Sequence, residues 1–391
     1  MNILIAGYPY IRENYFNTFR YYPAEGKIFF LFPKIWKAKN GKIVFNPPEE
    51  PNVFTTKAYF YHSHYFLIGG LLKGWMPAFP LVLWRLKKNK NIGLVYSPSE
   101  PVLFTTLYQA FWTKFFGLKH AIFTWENISY EHKFRGLNLL LKKLIIKLNL
   151  FLSDGVICGN KKAEHIIRQL TQKPTVVIPL SGIDSDFFNP NNKIDPKRPY
   201  GLEDKVVYAF VGAISYRKGI HLIIQALENT IRTIPEARLI IAGSGEYETE
   251  VDRLIKERKL ENYIIRISWV KHDELVKILS AADIFLYPSL SYGGWEEQFG
   301  YSMAEASLME LPVISTLSGS IEDIVKNGET GLLVKPDDRN DLEQAMIKLG
   351  LDRELRIKMG QAGRQYVIEN FSNKIIAGKF YEFFKKINLH S

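Results

Sequence analysis

The fold is decided by residues 281–336, AADIFLYPSLSYGGWEEQFGYSMAEASLMELPVISTLSGSIEDIVKNGETGLLVKP. The apolar run Ile284-Phe285-Leu286, closed by Pro288-Ser289, predicts a buried strand ending in a turn. A polar, Gly-containing loop follows from Ser291 to Trp295. Tyr301 to Leu308 has the pattern of a helix, and Pro312-Val313-Ile314 that of the next strand. Strand, loop, helix and strand in that order put the loop at a strand's carboxyl end, where open parallel sheets bind ligands.

Two carboxylates, Glu297 and Glu305, bracket the start of this helix. Phe299, Gly300, Tyr301 and Ser302 fall at its N-terminus, where main-chain N–H groups and the helix dipole favour an anion such as a diphosphate. Gly300 lets the main chain approach a ligand closely. A carboxylate accepts two hydroxyl donors, so Glu297 suits a sugar and Glu305 a ribose. On spacing alone the plainer alternative stays open, with Glu297 capping the helix and Glu305 solvated on its side.

The same stretch resembles the donor-site signature of family-four retaining glycosyltransferases. The resemblance rests on Pro288-Ser289, Glu297-Gln298-Phe299-Gly300, Glu305, Pro312-Val313-Ile314, Gly319, Glu322 and Asn327-Gly328-Glu329-Thr330-Gly331-Leu332-Leu333-Val334. It covers about the C-terminal half strongly and the N-terminal half thinly. It implies an α/β chain of the GT-B fold: two doubly wound Rossmann-like domains facing across a cleft. It further implies transfer of a hexosyl group, with retention, from a nucleotide-diphosphate sugar to a glycan or lipid-linked hydroxyl.

At 391 residues the chain is long for one core, and two domains are expected. The single cysteine, Cys158, excludes an internal disulfide and fits a reducing cytosol. His62 and His64 have no third ligand nearby, so no metal site is expected. Met1-Asn2 leads directly into Ile3-Leu4-Ile5-Ala6, which reads as a first strand without a signal peptide. Lys73, Pro77, Pro80 and Gly69-Gly70 interrupt the most hydrophobic window, residues 65–84, and argue against a spanning helix.

Charge divides the chain. Residues 1–200 carry 27 Lys and Arg against 12 Asp and Glu, whereas residues 201–391 carry 24 against 28. A basic half implies an anionic partner: a phosphate-bearing substrate, an anionic membrane surface or a nucleic acid. Apolar runs at Ile92–Ser97, Ala121–Trp125, Gly155–Cys158 and Thr175–Ile178 alternate with helical runs, which predicts a parallel sheet. The run from Arg135 to Leu152 is leucine-rich with Lys142, Lys143 and Lys147, suiting either packing on the sheet or a membrane interface. A basic nucleic-acid-binding protein is a competing class, but a nucleotide-sugar site in the acidic half argues against it, and no nucleic-acid partner is expected.

Asn189 to Asp204, with Pro190, Pro196 and Pro199, reads as an interdomain linker. The expected division is therefore an N-terminal acceptor-binding domain over 1–188, the linker over 189–204 and a donor-binding domain over 205–371. A helix over 372–391 would cross back to the first domain. Arg217-Lys218-Gly219 after the strand ending at Gly212 resembles the family's diphosphate-gripping Arg and Lys. Ala213 stands where the family has its Arg, leaving Arg217 to replace it. By the same resemblance Gly243 and Val270 face the nucleotide, and no metal or other cofactor is needed beyond the nucleotide-sugar donor. Glu126 stands where many relatives carry a His, and could touch the donor sugar or act as a base. A nucleotide-sugar isomerase of the same fold would need an acid/base set there, of which Glu126 is the one hint. The expected location is cytoplasmic, peripheral on the inner face of the membrane.

Overall fold

The structure, a computed structural model, describes residues 1–23, 27–37, 43–61, 70–192, 197–268 and 270–389. His62, His64 and residues 193–196 of the expected linker lie outside the described residues. Two compact units are formed, Met1–Gly182 with Asn373–Ser391, and Ile183–Ser372.

The first unit contains strands Asn2–Ala6 (β1), Ile28–Pro33 (β2), Trp36–Lys37 (β3), Ile43–Phe45 (β4), Val53–Thr56 (β5), Ile92–Ser97 (β6), Lys119–Thr124 (β7), Gly155–Cys158 (β8) and Thr175–Val177 (β9). Its helices are Glu13–Phe16 (α1), Phe79–Lys90 (α2), Phe104–Phe115 (α3), Tyr130–Lys133 (α4), Gly136–Leu152 (α5) and Lys161–Arg168 (α6). Seven strands form one sheet in the order β5-β2-β1-β6-β7-β8-β9, every pair parallel. β3 and β4 pair separately and antiparallel. In β2, IFFLFP, every position is buried, as a strand covered on both faces requires. The run Ala58-Tyr59-Phe60, which resembles a strand in sequence, gives only an isolated bridge from Tyr59 to Trp75.

The second unit contains Val206–Val211 (β10), Ala237–Ala242 (β11), Ile264–Ile267 (β12), Ile284–Tyr287 (β13), Val313–Thr316 (β14) and Gly331–Val334 (β15). Its helices are Ile220–Thr233 (α7), Glu248–Glu257 (α8), Leu275–Ala281 (α9), Tyr301–Leu308 (α10), Arg339–Leu351 (α11) and Arg353–Phe371 (α12). The sheet order is β12-β11-β10-β13-β14-β15, again parallel throughout. Chain order reverses between β10 and β13, so the helices that follow them, α7 and α10, leave toward opposite faces of the sheet, and the carboxyl ends of these two strands are its topological switch point. β10 and β13 are almost wholly apolar and buried, which gives this switch point a rigid floor.

One expected boundary shifts. The first unit ends at Gly182, not at residue 188, because Ile183 N donates to Phe371 O and Arg364 donates to Phe188 O, binding this segment to the second unit. Residues 189–204 therefore follow the boundary instead of forming it. The last helix, Asn373–Leu389 (α13), is separate from α12 and belongs to the first unit. There Thr18 Oγ1 donates to Asn373 Oδ1 at 2.7 Å, and Phe380 packs on Phe19 and Tyr96.

Candidate functional site

The loops after β10 and β13 are stitched together by main-chain contacts. Leu290 N donates to Arg217 O at 2.7 Å, and Ser289 Oγ to the same oxygen at 3.2 Å. Gly219 turns with φ 68°, and a Cβ there would lie 2.1 Å from Pro288 O. Only glycine fits this crossing, which explains Lys218-Gly219 locally.

The stitched loops bring Lys218 and Glu297 together. Lys218 Nζ lies 2.5 Å from Glu297 Oε2, and each residue is only 6% exposed. Lys218 also donates to the Tyr287 hydroxyl, and Ser289 Oγ lies 3.4 Å from Glu297 Oε2. Burial lowers the Lys218 pKa, and the Glu297 carboxylate opposes that shift. A buried cation and carboxylate in contact are stable mainly as a pair. The two side chains assigned separately to diphosphate and sugar are therefore mutual partners in this structure.

Arg217 sits over the Trp295 ring at 3.7 Å from its centroid, and Lys218 Nζ lies 4.9 Å from the same ring. Successive residues thus bring both cations to one aromatic ring. Trp295 reaches that place through a tight turn: Tyr292 and Trp295 exchange main-chain hydrogen bonds across Gly293 (φ 59°) and Gly294 (φ 73°). Two consecutive positive φ angles define a type I′-like hairpin, which glycine adopts freely. Arg217 Nη1 is buried without a hydrogen-bond partner among the described residues. A buried guanidinium N–H left unmatched is costly and is suited to an anionic acceptor. Trp295 was visible in sequence only as the end of a polar loop; the signal for its role is the preceding Gly-Gly.

Helix α10 begins at Tyr301 with Gly300 as its N-cap at φ 83°, and no side chain caps it. Phe299 is buried against Phe371, which fixes the approach to this turn, and Ser302 is the second residue of the helix. Glu305 lies one turn in and is 9% exposed, not solvated. Its carboxyl group has no side-chain partner among the described residues, and burial pushes its pKa up to about 7. Gly212 and Gly243 end neighbouring strands, and a Cβ on Gly243 would lie 1.9 Å from Gly212 O. Close packing of strand ends thus accounts for Gly243. Val270 is half-buried beyond the end of β12, and its neighbour Trp269 lies outside the described residues.

Glu126 belongs to the first unit, where it is buried and pairs with Lys133 Nζ at 2.6 Å. Next to it is a carboxylate that motif reading missed. Glu100 accepts from Thr124 Oγ1 at 2.6 Å and from Trp125 N at 2.7 Å, bracing the end of β7 from the loop after β6. Burial pushes the Glu100 pKa up to about 7; those two donors oppose the shift and the Glu126 charge adds to it. Asp184 Oδ1 accepts from Asp186 N and Phe187 N, so Asp184-Ser185-Asp186 is a local turn. Among the described residues no three His, Cys, Asp or Glu side chains gather as a metal site. No described helix is long and apolar enough to cross a membrane.

Comparison with known proteins agrees with this architecture. Residues 192–366 match the family model for glycosyl transferases group 1. The capsular polysaccharide biosynthesis glycosyltransferase CapM of Staphylococcus aureus is 29% identical over 62% of this chain and 64% of its own length. A GDP-mannose-dependent monoacylated alpha-(1-6)-phosphatidylinositol monomannoside mannosyltransferase of Corynebacterium glutamicum is 32% identical over 50% of this chain and 52% of its own. The chain thus spans between about half and just under two thirds of these curated relatives. Among solved structures, HepE of Anabaena in complex with UDP superposes with a TM-score of 0.74 at 17% identity, covering 98% of this chain and 99% of that one. Sucrose-phosphate synthase of Thermosynechococcus elongatus gives 0.73 at 19% identity, covering 100% of both. With two parallel α/β units and full-length superposition on these structures, the chain has the GT-B fold, and its second unit carries the match to glycosyl transferases group 1.

Proposed function

We propose that this chain transfers a hexosyl group from a nucleotide-diphosphate sugar to a hydroxyl of a glycan or lipid-linked acceptor, with retention and without a divalent metal. The acceptor oxygen forms a bond to the anomeric carbon while the bond from that carbon to the diphosphate breaks. The acceptor's proton passes to the departing phosphate oxygen. The main task is to stabilise charge on the nucleoside diphosphate as it leaves. Arg217 and Lys218 supply two cations, and the N-terminus of α10, Phe299 to Ser302, supplies a dipole. Glu297 orients sugar hydroxyls, and Glu305 accepts from the ribose diol. Gly212, Gly243 and Val270 form the nucleotide side, and Glu126 serves the acceptor side of the first unit. The setting is surface polysaccharide or glycolipid assembly at the cytoplasmic side of a membrane.

The observation that carries this reading is the pair of cations on Trp295, one held by buried Glu297 and the other with an unmatched N–H. The isomerase alternative would rest on Glu126, paired with Lys133, and its neighbour Glu100. The test is release of nucleoside diphosphate from a panel of nucleotide sugars, with and without lipid-phosphate acceptors and with chelator present. Acceptor-dependent release from one donor is expected, with the product's anomeric configuration unchanged. Arg217→Gln is expected to lower turnover by about a hundredfold. Release abolished by chelator would contradict the metal-free mechanism, and no release from any donor would contradict the activity.

A further inference from the structure

Helix α5 is apolar on both sides. Ile145, Ile146 and Leu150 are buried against the sheet, as an ordinary crossover helix requires. Its outer side carries Leu137, Leu141, Leu144, Leu148 and Phe151, spaced 4, 3, 4 and 3 residues apart. These are 82, 45, 55, 39 and 74% exposed. That spacing makes one continuous stripe along the helix. Isolated surface leucines need no explanation, but a contiguous apolar stripe marks a contact surface.

The neighbouring helix α3 also carries exposed aromatic side chains. β6, β7 and β8 are successive neighbours, so right-handed crossovers put α3 and α5 on the same face of the sheet. Asn149 Nδ2 on α5 donates to Pro101 O and Leu103 O at the start of α3, which locks the two helices together. On α3, Phe111 and Phe115 stack on each other and are 53 and 67% exposed.

Charge identifies what covers this face. α5 holds three lysines, Lys142, Lys143 and Lys147, and no acidic residue. Lys143 and Lys147 line one edge of the stripe and, with Lys173, the wall of a cavity of about 520 Å³ beside Ile146, Leu150 and Phe151. Glu131 is the one acid in that lining, and it pairs with Lys143 at 2.8 Å. A second copy seated stripe to stripe would set these lysines against their own kind with no carboxylate on the helix to meet them. An anionic bilayer offers apolar depth to the leucines and phenylalanines and phosphate to the lysines at its surface.

We propose that the exposed face of α5 and α3 docks the first unit onto an anionic phospholipid bilayer, with α5 lying in the interface plane. This uses the first unit alone and is independent of the donor-site reading, which nucleotide-sugar binding tests separately.

The experiment is flotation of the full chain with vesicles of phosphatidylcholine alone, or of phosphatidylcholine mixed with phosphatidylglycerol, at low and high salt. Binding is expected with the anionic vesicles at low salt and is expected to weaken as salt rises. Lys143→Gln and Lys147→Gln should each weaken it about fivefold. The double variant Leu141→Gln, Leu144→Gln should abolish it while leaving the thermal melting curve and donor binding unchanged. Equal binding to neutral vesicles, or binding that survives the leucine substitutions, would overturn the proposal. So would a salt-resistant dimer in sedimentation that the leucine substitutions convert to monomer.

Discussion

Glu305, proposed above to accept from the ribose, is a residue whose burial would tune that role. A ribose diol donates both its protons, so it needs the ionised carboxylate, yet burial holds the Glu305 pKa near 7. Affinity for a nucleotide sugar should therefore rise as pH climbs through about 7, and Glu305→Gln should lose that slope; calorimetric titration across pH reads both. Stability runs the other way. The folded pKa is raised above the ordinary 4.5, so between about 4.5 and 7 the native form holds a proton the unfolded chain has released. Stability contributed by this residue falls as pH rises through that window. Glu305→Gln should match the wild type below pH 4.5 and exceed it above pH 7, by up to about 3 kcal/mol in denaturant unfolding. Lys218 is a harsher case. The residue is only 6% exposed and holds a buried carboxylate. Its removal should destabilise the chain by about 3–5 kcal/mol. The double variant Lys218→Ala, Glu297→Ala should lose less than Lys218→Ala alone, and urea unfolding of all four members of the cycle would show it.

At the scale of elements, the legible parts were those with a strong period. β13, α10 and β14 fall where apolar runs and turn residues put them, because buried parallel strands leave few alternatives to such runs. The loop between β13 and α10 was legible as polar and Gly-rich, but not as a hairpin that returns Trp295 to Arg217. That depends on two glycine φ angles and on a ring contact 78 residues away in sequence, which no local pattern encodes. Gly294→Ala places a Cβ at φ 73° and should destabilise by about 1 kcal/mol. It should also weaken donor binding by displacing Trp295, whereas Gly201→Ala, also at positive φ but outside the site, should leave donor binding intact. The break between α12 and α13 was placed by the family resemblance and not by a local signal. No Pro or Gly marks Ser372; the interruption is set by which unit each helix packs on.

Across the whole molecule, the second unit was far more readable than the first. The donor signature recurs as a string of residues that hold strand ends, turns and charges, and the family match covers residues 192–366. In the first unit, Tyr8 just after β1 stacks on Trp36 at 4.3 Å, a contact no local pattern announces. Glu126 was visible as a substitution, but its partner Lys133 and its neighbour Glu100 emerge only in three dimensions. The charge division, 27 basic against 12 acidic residues over 1–200, was plain in sequence, while the exposed stripe on α5 that gives it a use required the packed helix. The central claim is that the switch point after β10 and β13 holds a nucleotide-diphosphate sugar. Equilibrium binding of a donor panel to the full chain, alongside Arg217→Gln and Glu305→Gln, tests it most directly. Saturable binding of at least one donor, weakened about tenfold or more by each substitution, is expected. Failure of every donor to bind, or binding that both variants keep at full strength, would contradict it.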